Sequence, residues 1–245
     1  GRSEGGICVT LAPTFFDGAF GDESIRTAVR AWMEDRAAAE AMYGHISTWA
    51  TGGVTDMTYL FSACDWDSRC NSAAASFNED IGAWDTSGVT DMKFMFEGAS
   101  AFNQDIGDWA VHSVRSMEGL FEDSSFNEDI SAWDTSGVTT MNSMFAEARS
   151  FNQDIGDWAV HNVKDMEYMF GEATSFNQDI GAWDTSGVTR MEMMFWEATA
   201  FDQDLGWCVD DDVDFDSEGE GSTFQDAFSE TCLLYTSDAA DDVRG

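Results

Sequence analysis

The stretch "SFNQDIGAWDTSGVT", Ser175 to Thr189, occurs three times in nearly the same form. The other copies are "SFNEDIGAWDTSGVT" at Ser76 to Thr90 and "SFNEDISAWDTSGVT" at Ser125 to Thr139. Related copies fill the intervals, so that a phenylalanine begins each repeat at Phe77, Phe102, Phe126, Phe151, Phe176 and Phe201, with spacings of 25, 24, 25, 25 and 25 residues. A fixed period of this length is typical of proteins in which each repeat packs against its neighbours.

Each repeat follows the pattern F-N-x-D-I-x-x-W-x-x-x-x-V-x-x-M-x-x-M-F-x-x-A. The segment "NQDIGDW" predicts a short strand, because it is short and bounded by turn residues. The segment "VTDMKFMF" predicts a short helical turn, because its apolar residues recur three to four positions apart. Neither element can bury its apolar side alone, so the large apolar residues are predicted to form a core by the stacking of repeats.

The regions before and after the complete repeats indicate the domain organisation. An earlier, incomplete copy runs from Ile46 to Phe61, so residues 46–208 are predicted to form five to six coils. Before it, "ESIRTAVRAWMEDRAAAEAMYG" predicts a helix with Ile25, Val29, Trp32 and Met33 on its apolar side and a stop at Gly44. We expect this helix, within residues 1–45, to cover the open end of the first coil.

The chain is strongly acidic, with 47 acidic and 11 basic residues and a formal net charge of −36. Such a surface repels phosphate backbones and anionic membranes, so nucleic acid is not an expected partner. Cations, above all calcium, and basic proteins are the expected counterparts. No apolar run approaches the ~20 residues that span a bilayer, so no transmembrane segment is predicted.

Five cysteines occur, at Cys8, Cys64, Cys70, Cys208 and Cys232. None lies in a CxxC pair, which leaves a zinc site unsupported. Cys64 and Cys70 flank the short segment "CDWDSRC" and are predicted to form a disulfide, which would imply an oxidising compartment. The alternative is two unrelated thiols.

One aspartate recurs in every complete repeat, at Asp80, Asp105, Asp129, Asp154, Asp179 and Asp204. At the ~4.8 Å spacing of paired strands these residues would form an Asp ladder whose adjacent charges repel by roughly 1 kcal/mol each in water. One explanation is that each Asp accepts backbone N–H bonds at a turn, with the nearby Asn bonding the next coil. The other is calcium between the coils, with Asp80, Asp105, Asp129, Asp154 and Asp179 as candidate ligands.

A second acid alternates between repeats. It follows the tryptophan at Asp85, Asp134 and Asp184 and precedes it at Asp108 and Asp157, which defines a unit of two coils, about fifty residues long. His112 and His161 lie at the same phase two coils apart and are expected to face solvent. No recurring nucleophile and no unlike pair of carboxylates is found, so an enzyme is not predicted.

The segments "AFNQDIGDWAVHSVRSMEGLF" and "SFNQDIGAWDTSGVTRMEMMF" resemble the repeats of the BspA-like leucine-rich repeat surface proteins, also called domain of unknown function 285. The resemblance covers about Ile46 to Cys208 and implies a cell-surface or secreted location without enzymatic activity. We therefore predict an α/β fold: a right-handed solenoid of leucine-rich-repeat type with an N-terminal capping helix. The flanks resemble those of marine microalgal members, and "LGWCVDDDVDF", Leu205 to Phe215, looks like the start of a C-terminal cap over residues 209–231.

The last residues carry a different signal. The segment "CLLYTSDAADD", Cys232 to Asp242, resembles the in-frame translation of a sequencing-library adapter. We expect the natural sequence to end near Thr231 and residues 232–245 not to belong to it.

The predicted function is a surface-exposed or secreted scaffold, without cofactor, that binds a protein, a glycan or a cationic surface. The first alternative is calcium-dependent adhesion or self-association through the Asp ladder. A weaker alternative is an ice- or mineral-facing surface, which the regularly placed Thr86, Thr135 and Thr185 would favour.

Overall fold

The computed structural model of the chain describes residues 18–207. Two helices come first, α1 at Asp22–Glu34 and α2 at Arg36–Tyr43. Two short 3-10 helices follow, at Ile46–Thr48 and Ser72–Ser76. Over residues 77–207 the repeats are joined by isolated parallel bridges and contain neither helix nor strand.

The bridges form a ladder along the stack of repeats. Five of them connect a residue with its equivalent in the next repeat, in the order Asp56, Asp91, Ser116, Thr140, Asp165 and Arg190, and a further bridge joins Ala19 to Ala50. Around each bridge every second backbone N–H donates to the next repeat, as Phe94 does to the carbonyl of Glu118 at 2.8 Å and Phe96 to that of Leu120 at 3.0 Å. Consecutive repeats therefore lie side by side in chain order, and the incomplete copy that contains Asp56 belongs to the same stack.

The local structure within a repeat differs from the predicted one. The bridges lie in "VTDMKFMF", which was predicted to be helical, and "NQDIGDW", which was predicted to be a strand, contains no bridge. In the first segment the chain folds in successive turns: the N–H of Met95 donates to the carbonyl of Met92 at 3.1 Å, and Phe94 has a φ of 53°. A series of turns places apolar residues three to four positions apart, as a helix does, so the pattern alone could not distinguish the two.

Two parallel stacks of phenylalanine rings run through the core. Within one repeat the ring centroids of Phe96 and Phe102 are 4.0 Å apart. Between repeats, Phe96 lies 5.6 Å from Phe121, and Phe102 lies 6.0 Å from Phe126. All four rings are fully buried. The recurring phenylalanines of the sequence therefore mark the core, as predicted.

The tryptophan three positions after the isoleucine ties its repeat to the preceding one. The indole N–H of Trp109 donates to the carbonyl of Ile81 at 3.2 Å, and that of Trp133 donates to Ile106 at 3.1 Å. Both side chains are buried, so these hydrogen bonds satisfy polar groups inside the core. The tryptophan and methionine columns are core residues, as the repeat pattern predicted.

The predicted single capping helix is divided into two. Asp35 ends α1, and its carboxylate accepts the N–H of Ala38 at 3.1 Å, which makes Asp35 the N-cap of α2. Helix α2 ends at Gly44, as predicted, with a φ of 79°. The prediction of one continuous helix was wrong because a capping aspartate was read as a helix-interior residue.

Side chains of α1 replace a preceding repeat at the free edge of the bridge ladder. The carboxylate of Asp22 accepts the N–H groups of Thr55, at 2.7 Å, and Asp56, at 3.1 Å. The guanidinium of Arg26 donates to the carbonyls of Asp56 and Thr58. In later repeats the equivalent backbone groups bond to the repeat before. Helix α1 thus satisfies an edge that would otherwise expose unpaired backbone groups.

Two kinds of side-chain joint alternate along the complete repeats, from Thr86 onward. The hydroxyl of Thr86 donates to the carbonyl of Ala110, one repeat on, at 3.2 Å. At the following joint the guanidinium of Arg115 donates to the carbonyl of Gly137, also at 3.2 Å. The same alternation recurs one unit later, in Thr135 to Ala159 and Lys164 to Gly187. The two-coil unit of the sequence therefore corresponds to two different interfaces between repeats.

The stacking of the repeats and the N-terminal cap are thus visible in the structure, while the right hand of the solenoid and its leucine-rich-repeat class stay predictions. The predicted cap at 209–231 and the segment 232–245 lie outside the described residues. So do Cys8, Cys208 and Cys232.

Candidate functional site

The Asp ladder predicted from the sequence is built into turns. Asp105 accepts the N–H of Gly107 at 3.1 Å, and Asp129 accepts that of Ser131 at 2.9 Å. The equivalent bond is present at every other member, Asp80, Asp154, Asp179 and Asp204. These residues are exposed, and the hydrogen bonds from Ser131 lower the pKa of Asp129. Each aspartate therefore stabilises the turn that follows it.

The asparagines beside this ladder bond from repeat to repeat. The side-chain oxygen of Asn78 accepts the backbone N–H of Asn103 at 2.9 Å, and that of Asn103 accepts the N–H of Asn127 at 2.7 Å. The bond recurs through Asn152 and Asn177 to Asp202. The arrangement matches the first of the two explanations considered for the ladder, and calcium binding stays a prediction.

One group of potential metal ligands is found within residues 18–207. The sulfur atoms of Cys64 and Cys70 and a carboxylate oxygen of Glu97 lie within 4.8 Å of one another. The two cysteines, however, form the predicted disulfide, with their Cα atoms 5.3 Å apart. In this state they offer no thiolate, and thiolate is the form in which cysteine binds metals.

The alternating acids and histidines lie at the surface. Asp85 accepts hydrogen bonds from the hydroxyl and the N–H of Ser87, which lower its pKa. Asp134 and Asp184 are bonded to Ser136 and Ser186 in the same way. His112 and His161 are exposed, as expected. The three acids that follow the tryptophan therefore act as turn residues as well.

The threonines that would have favoured an ice- or mineral-facing surface are buried. Thr86 is 1 % exposed, Thr135 is fully buried and Thr185 is 6 % exposed. They share a column with the buried Val111 and Val160. Since a threonine in the core cannot contact ice or mineral, that hypothesis is wrong as far as it rested on these residues.

One side of the stack carries residues that differ from repeat to repeat. We call it the bridge face and define it by four positions, which in one repeat are Glu118, Gly119, Glu122 and Asp123. In the preceding repeat the equivalent residues are Lys93, Phe94, Glu97 and Gly98. In the three repeats that follow they are Asn142, Ser143, Ala146 and Glu147; Glu167, Tyr168, Gly171 and Glu172; and Glu192, Met193, Trp196 and Glu197. The core positions between them hold nearly the same residue in every repeat. The fold therefore does not require one side chain at the bridge face, which leaves it available for recognition.

An aromatic cluster lies at the N-terminal end of the bridge face. Trp66, in the disulfide loop, is 59 % exposed, and its ring centroid lies 5.7 Å from Tyr59 and 5.4 Å from Phe94. Its indole N–H donates to the carboxylate of the buried Glu97 at 2.8 Å. The disulfide loop thus holds an exposed tryptophan against the first repeats.

A second apolar cluster lies towards the other end. The rings of Tyr168 and Trp196 are 5.8 Å apart, and Met193 is 39 % exposed. Tyr168 lies over Gly171, where a Cβ atom would come within 2.6 Å of the ring. A glycine is therefore required at 171 for the tyrosine ring to lie flat on the bridge face.

Carboxylates occupy the space between the two clusters. Burial raises the pKa of Glu122 to about 7, and the nearby Glu97, Glu147, Asp123 and Glu118 add to the effect. Burial also raises the pKa values of Glu97 and Glu147. The bridge face is therefore an acidic surface between apolar patches, with one carboxyl group that titrates near neutral pH.

This arrangement makes stability depend on pH. The pKa of Glu122 is higher in the folded protein than its ordinary value of 4.5, so its contribution is complete below about pH 4.5 and is lost as the pH rises to about 7. At about pH 8 we expect the free energy of unfolding of Glu122→Gln to exceed that of the unchanged protein by on the order of 2 kcal/mol. At about pH 4 the two free energies should be nearly equal.

Urea unfolding of both proteins at the two pH values measures this difference. Asp108→Asn removes an exposed acid of the same repeat and is the matched control. Its free energy of unfolding should differ from that of the unchanged protein by the same amount at both pH values. An equal gain for both variants at about pH 8 would show a general charge effect and contradict the role of Glu122.

The bridge face was missed in the sequence, although a signal was available. Within an otherwise repeated phrase, the residues that flank the Met–Phe pair change from copy to copy, as Gly119, Ser143 and Tyr168 do. The constant residues of the phrase predict the Asp ladder instead, and the structure places that ladder in turns.

The comparisons with known proteins give one match. A sequence model of the family described as "Mycoplasma protein of unknown function, DUF285" matches residues 32–139 and 116–227. No curated protein and no solved structure matches the chain. Among the described residues, no helix is long and apolar enough to cross a membrane.

Proposed function

Because the chain belongs to the DUF285 family of repeat proteins of unknown function, we propose that it is a surface-exposed or secreted scaffold, without enzymatic activity, that binds a basic partner along its bridge face. The observation that carries this proposal is the difference between the constant core and the variable bridge face. A repeat protein recognises its partner through such an extended surface. The microalgal origin of the chain stays a prediction.

The chemistry of the bridge face favours a basic protein segment as the partner. Carboxylates such as Asp123 and Glu197 are exposed and can pair with lysine or arginine side chains. The aromatic rings of Trp66 and Tyr168 can receive the same cations over their faces. A net charge of −36 adds long-range attraction for a positively charged segment.

The disulfide supports the predicted location. Disulfides persist in oxidising compartments and are rare in the reducing cytosol. The bond between Cys64 and Cys70 also closes the loop that holds Trp66 at the bridge face. The disulfide therefore supports both the proposed location and the proposed binding surface. This leaves the extracellular or cell-surface location as part of the proposal.

A charge-neutralising pair of variants tests the binding surface. We expect Asp123→Asn combined with Glu197→Gln to weaken the binding of a decalysine peptide about tenfold at low ionic strength, since two contacts of about 0.7 kcal/mol each are lost. Isothermal titration calorimetry measures the change.

The matched control is Asp108→Asn combined with Asp157→Asn, which removes two exposed acids away from the bridge face. We expect less than a twofold effect from it. Equal weakening by the two pairs would mean that the peptide responds to net charge alone, and the bridge face would lose its role.

A further inference from the structure

A groove lies between helix α1 and the segment that contains the disulfide loop. Its apolar lining comes from Val29 of α1 and from Leu60 and Ala74 across it, all of them buried. The groove is open to solvent along its length. The groove is separate from the variable positions of the bridge face. Tyr59 is the one residue that both lines the groove and belongs to the aromatic cluster around Trp66.

Three arginines line this groove, Arg26, Arg30 and Arg69. The whole chain has only 11 basic residues, so this concentration of positive charge is unusual for it. Arg26 is engaged with the backbone of the first repeat and with Asp56. Arg69 is paired with Asp67 at 2.7 Å and lies over the ring of Tyr59 at 3.8 Å.

Arg30 differs from the other bases of the described chain. Eight of the nine basic residues between 18 and 207 form an ion pair or a side-chain hydrogen bond with another residue of that range. Arg30 forms neither with any of those residues, although Glu34 follows it one turn later on α1. Arg30 is exposed, and all five N–H donors of its guanidinium are therefore available to a ligand in the groove that it lines.

We propose that this groove binds a small organic carboxylate with an apolar body. The guanidinium of Arg30 holds the carboxylate through paired N–H donors, a geometry that suits a planar anion. Val29, Leu60 and Ala74 contact the apolar part of the ligand. The proposal does not depend on the function proposed for the bridge face.

The charge of the whole protein favours a ligand with a single negative charge. The 47 acidic residues repel anions at long range, and the repulsion grows with the charge of the ligand. Phosphate-rich molecules are therefore disfavoured. A monocarboxylate meets the least repulsion, and its apolar body gains from burial in the groove.

Displacement of a fluorescent probe tests the proposal with the full chain. The probe is anilinonaphthalene sulfonate, an apolar molecule with one negative charge, and the competitor is octanoate. We expect octanoate to displace the probe, and Arg30→Gln to weaken octanoate binding at least tenfold. Arg30→Lys keeps the charge and should restore part of the affinity.

Arg149→Gln is the matched control, because it removes one exposed positive charge from a distant repeat. It should leave octanoate binding unchanged, and all three variants should melt at the temperature of the unchanged protein. Equal binding by the unchanged protein and Arg30→Gln would overturn the proposal. So would displacement of the probe by neutral octanol as effectively as by octanoate, since the site would then not recognise the carboxylate.

Discussion

Replacing Phe121 by alanine is expected to lower the free energy of unfolding by about 3–5 kcal/mol. The ring is fully buried and lies in the middle of the core, 5.6 Å from Phe96 and 5.7 Å from Phe145. It also stacks on Phe126 of the second ring column at 4.1 Å. Its removal leaves a cavity that the flanking repeats cannot close, because their own backbone bonds fix their spacing.

Urea unfolding at constant pH measures this loss. Met193→Ala is a suitable control, since Met193 is 39 % exposed on the bridge face and its truncation should cost less than about 1 kcal/mol. A similar cost for both variants would contradict the assignment of the phenylalanine stacks as the main core.

The second large effect is expected at the N-terminal cap. Arg26→Gln removes the donors to the carbonyls of Asp56 and Thr58 and the ion pair with Asp56 at 2.7 Å. We expect a loss of about 2–3 kcal/mol, because two carbonyls at the edge of the stack lose a charged donor. The first repeat should open before the rest, since stability in a stack of repeats is passed from neighbour to neighbour.

Hydrogen exchange detects such local opening. In Arg26→Gln the amide of Met57, next to the cap, should exchange with solvent faster. The equivalent amide of Met166, four repeats further along the stack, should change less. Arg30→Gln is the control, because Arg30 lies one turn along the same helix and bonds to no described residue. If Arg30→Gln destabilised the protein as much as Arg26→Gln, the capping role of Arg26 would be refuted.

The core and the turns were largely predictable from the sequence, because they depend on residues that must be the same in every repeat. Phe96 and its equivalents stack on one another, so each repeat has to supply the same ring. Asp105 and its equivalents bond to the N–H two residues on, so the same acid recurs. Identity within the chain therefore indicated a structural requirement.

The parts that could not be predicted depend on geometry that residue spacing does not determine. The turns around Phe94 imitate a helical pattern, although its φ is positive. Thr86 was taken for a surface residue, yet it occupies the same column as Val111 and satisfies its hydroxyl with the carbonyl of Ala110. Its alternation with valine was the available signal, because the two side chains have nearly the same shape.

The candidate site was harder to predict for the opposite reason. The residues of the bridge face differ between repeats, so the only signal that they leave in the sequence is variation within an otherwise constant phrase. The groove beside Arg30 is assembled from α1 and from residues far later in the chain, such as Leu60 and Ala74. Only the folded chain brings them together.

The two alternating interfaces between repeats also bear on how such a gene can change in length. Loss of a single repeat would place two repeats of the same kind side by side, an arrangement that occurs once already, where the hydroxyl of Thr51 donates to the carbonyl of Asp85 at 3.0 Å. Loss or duplication of two consecutive repeats leaves the threonine joints and the arginine or lysine joints alternating as before. Unequal recombination in steps of about fifty codons would therefore preserve the alternation, and each step would lengthen or shorten the exposed surface by a fixed amount.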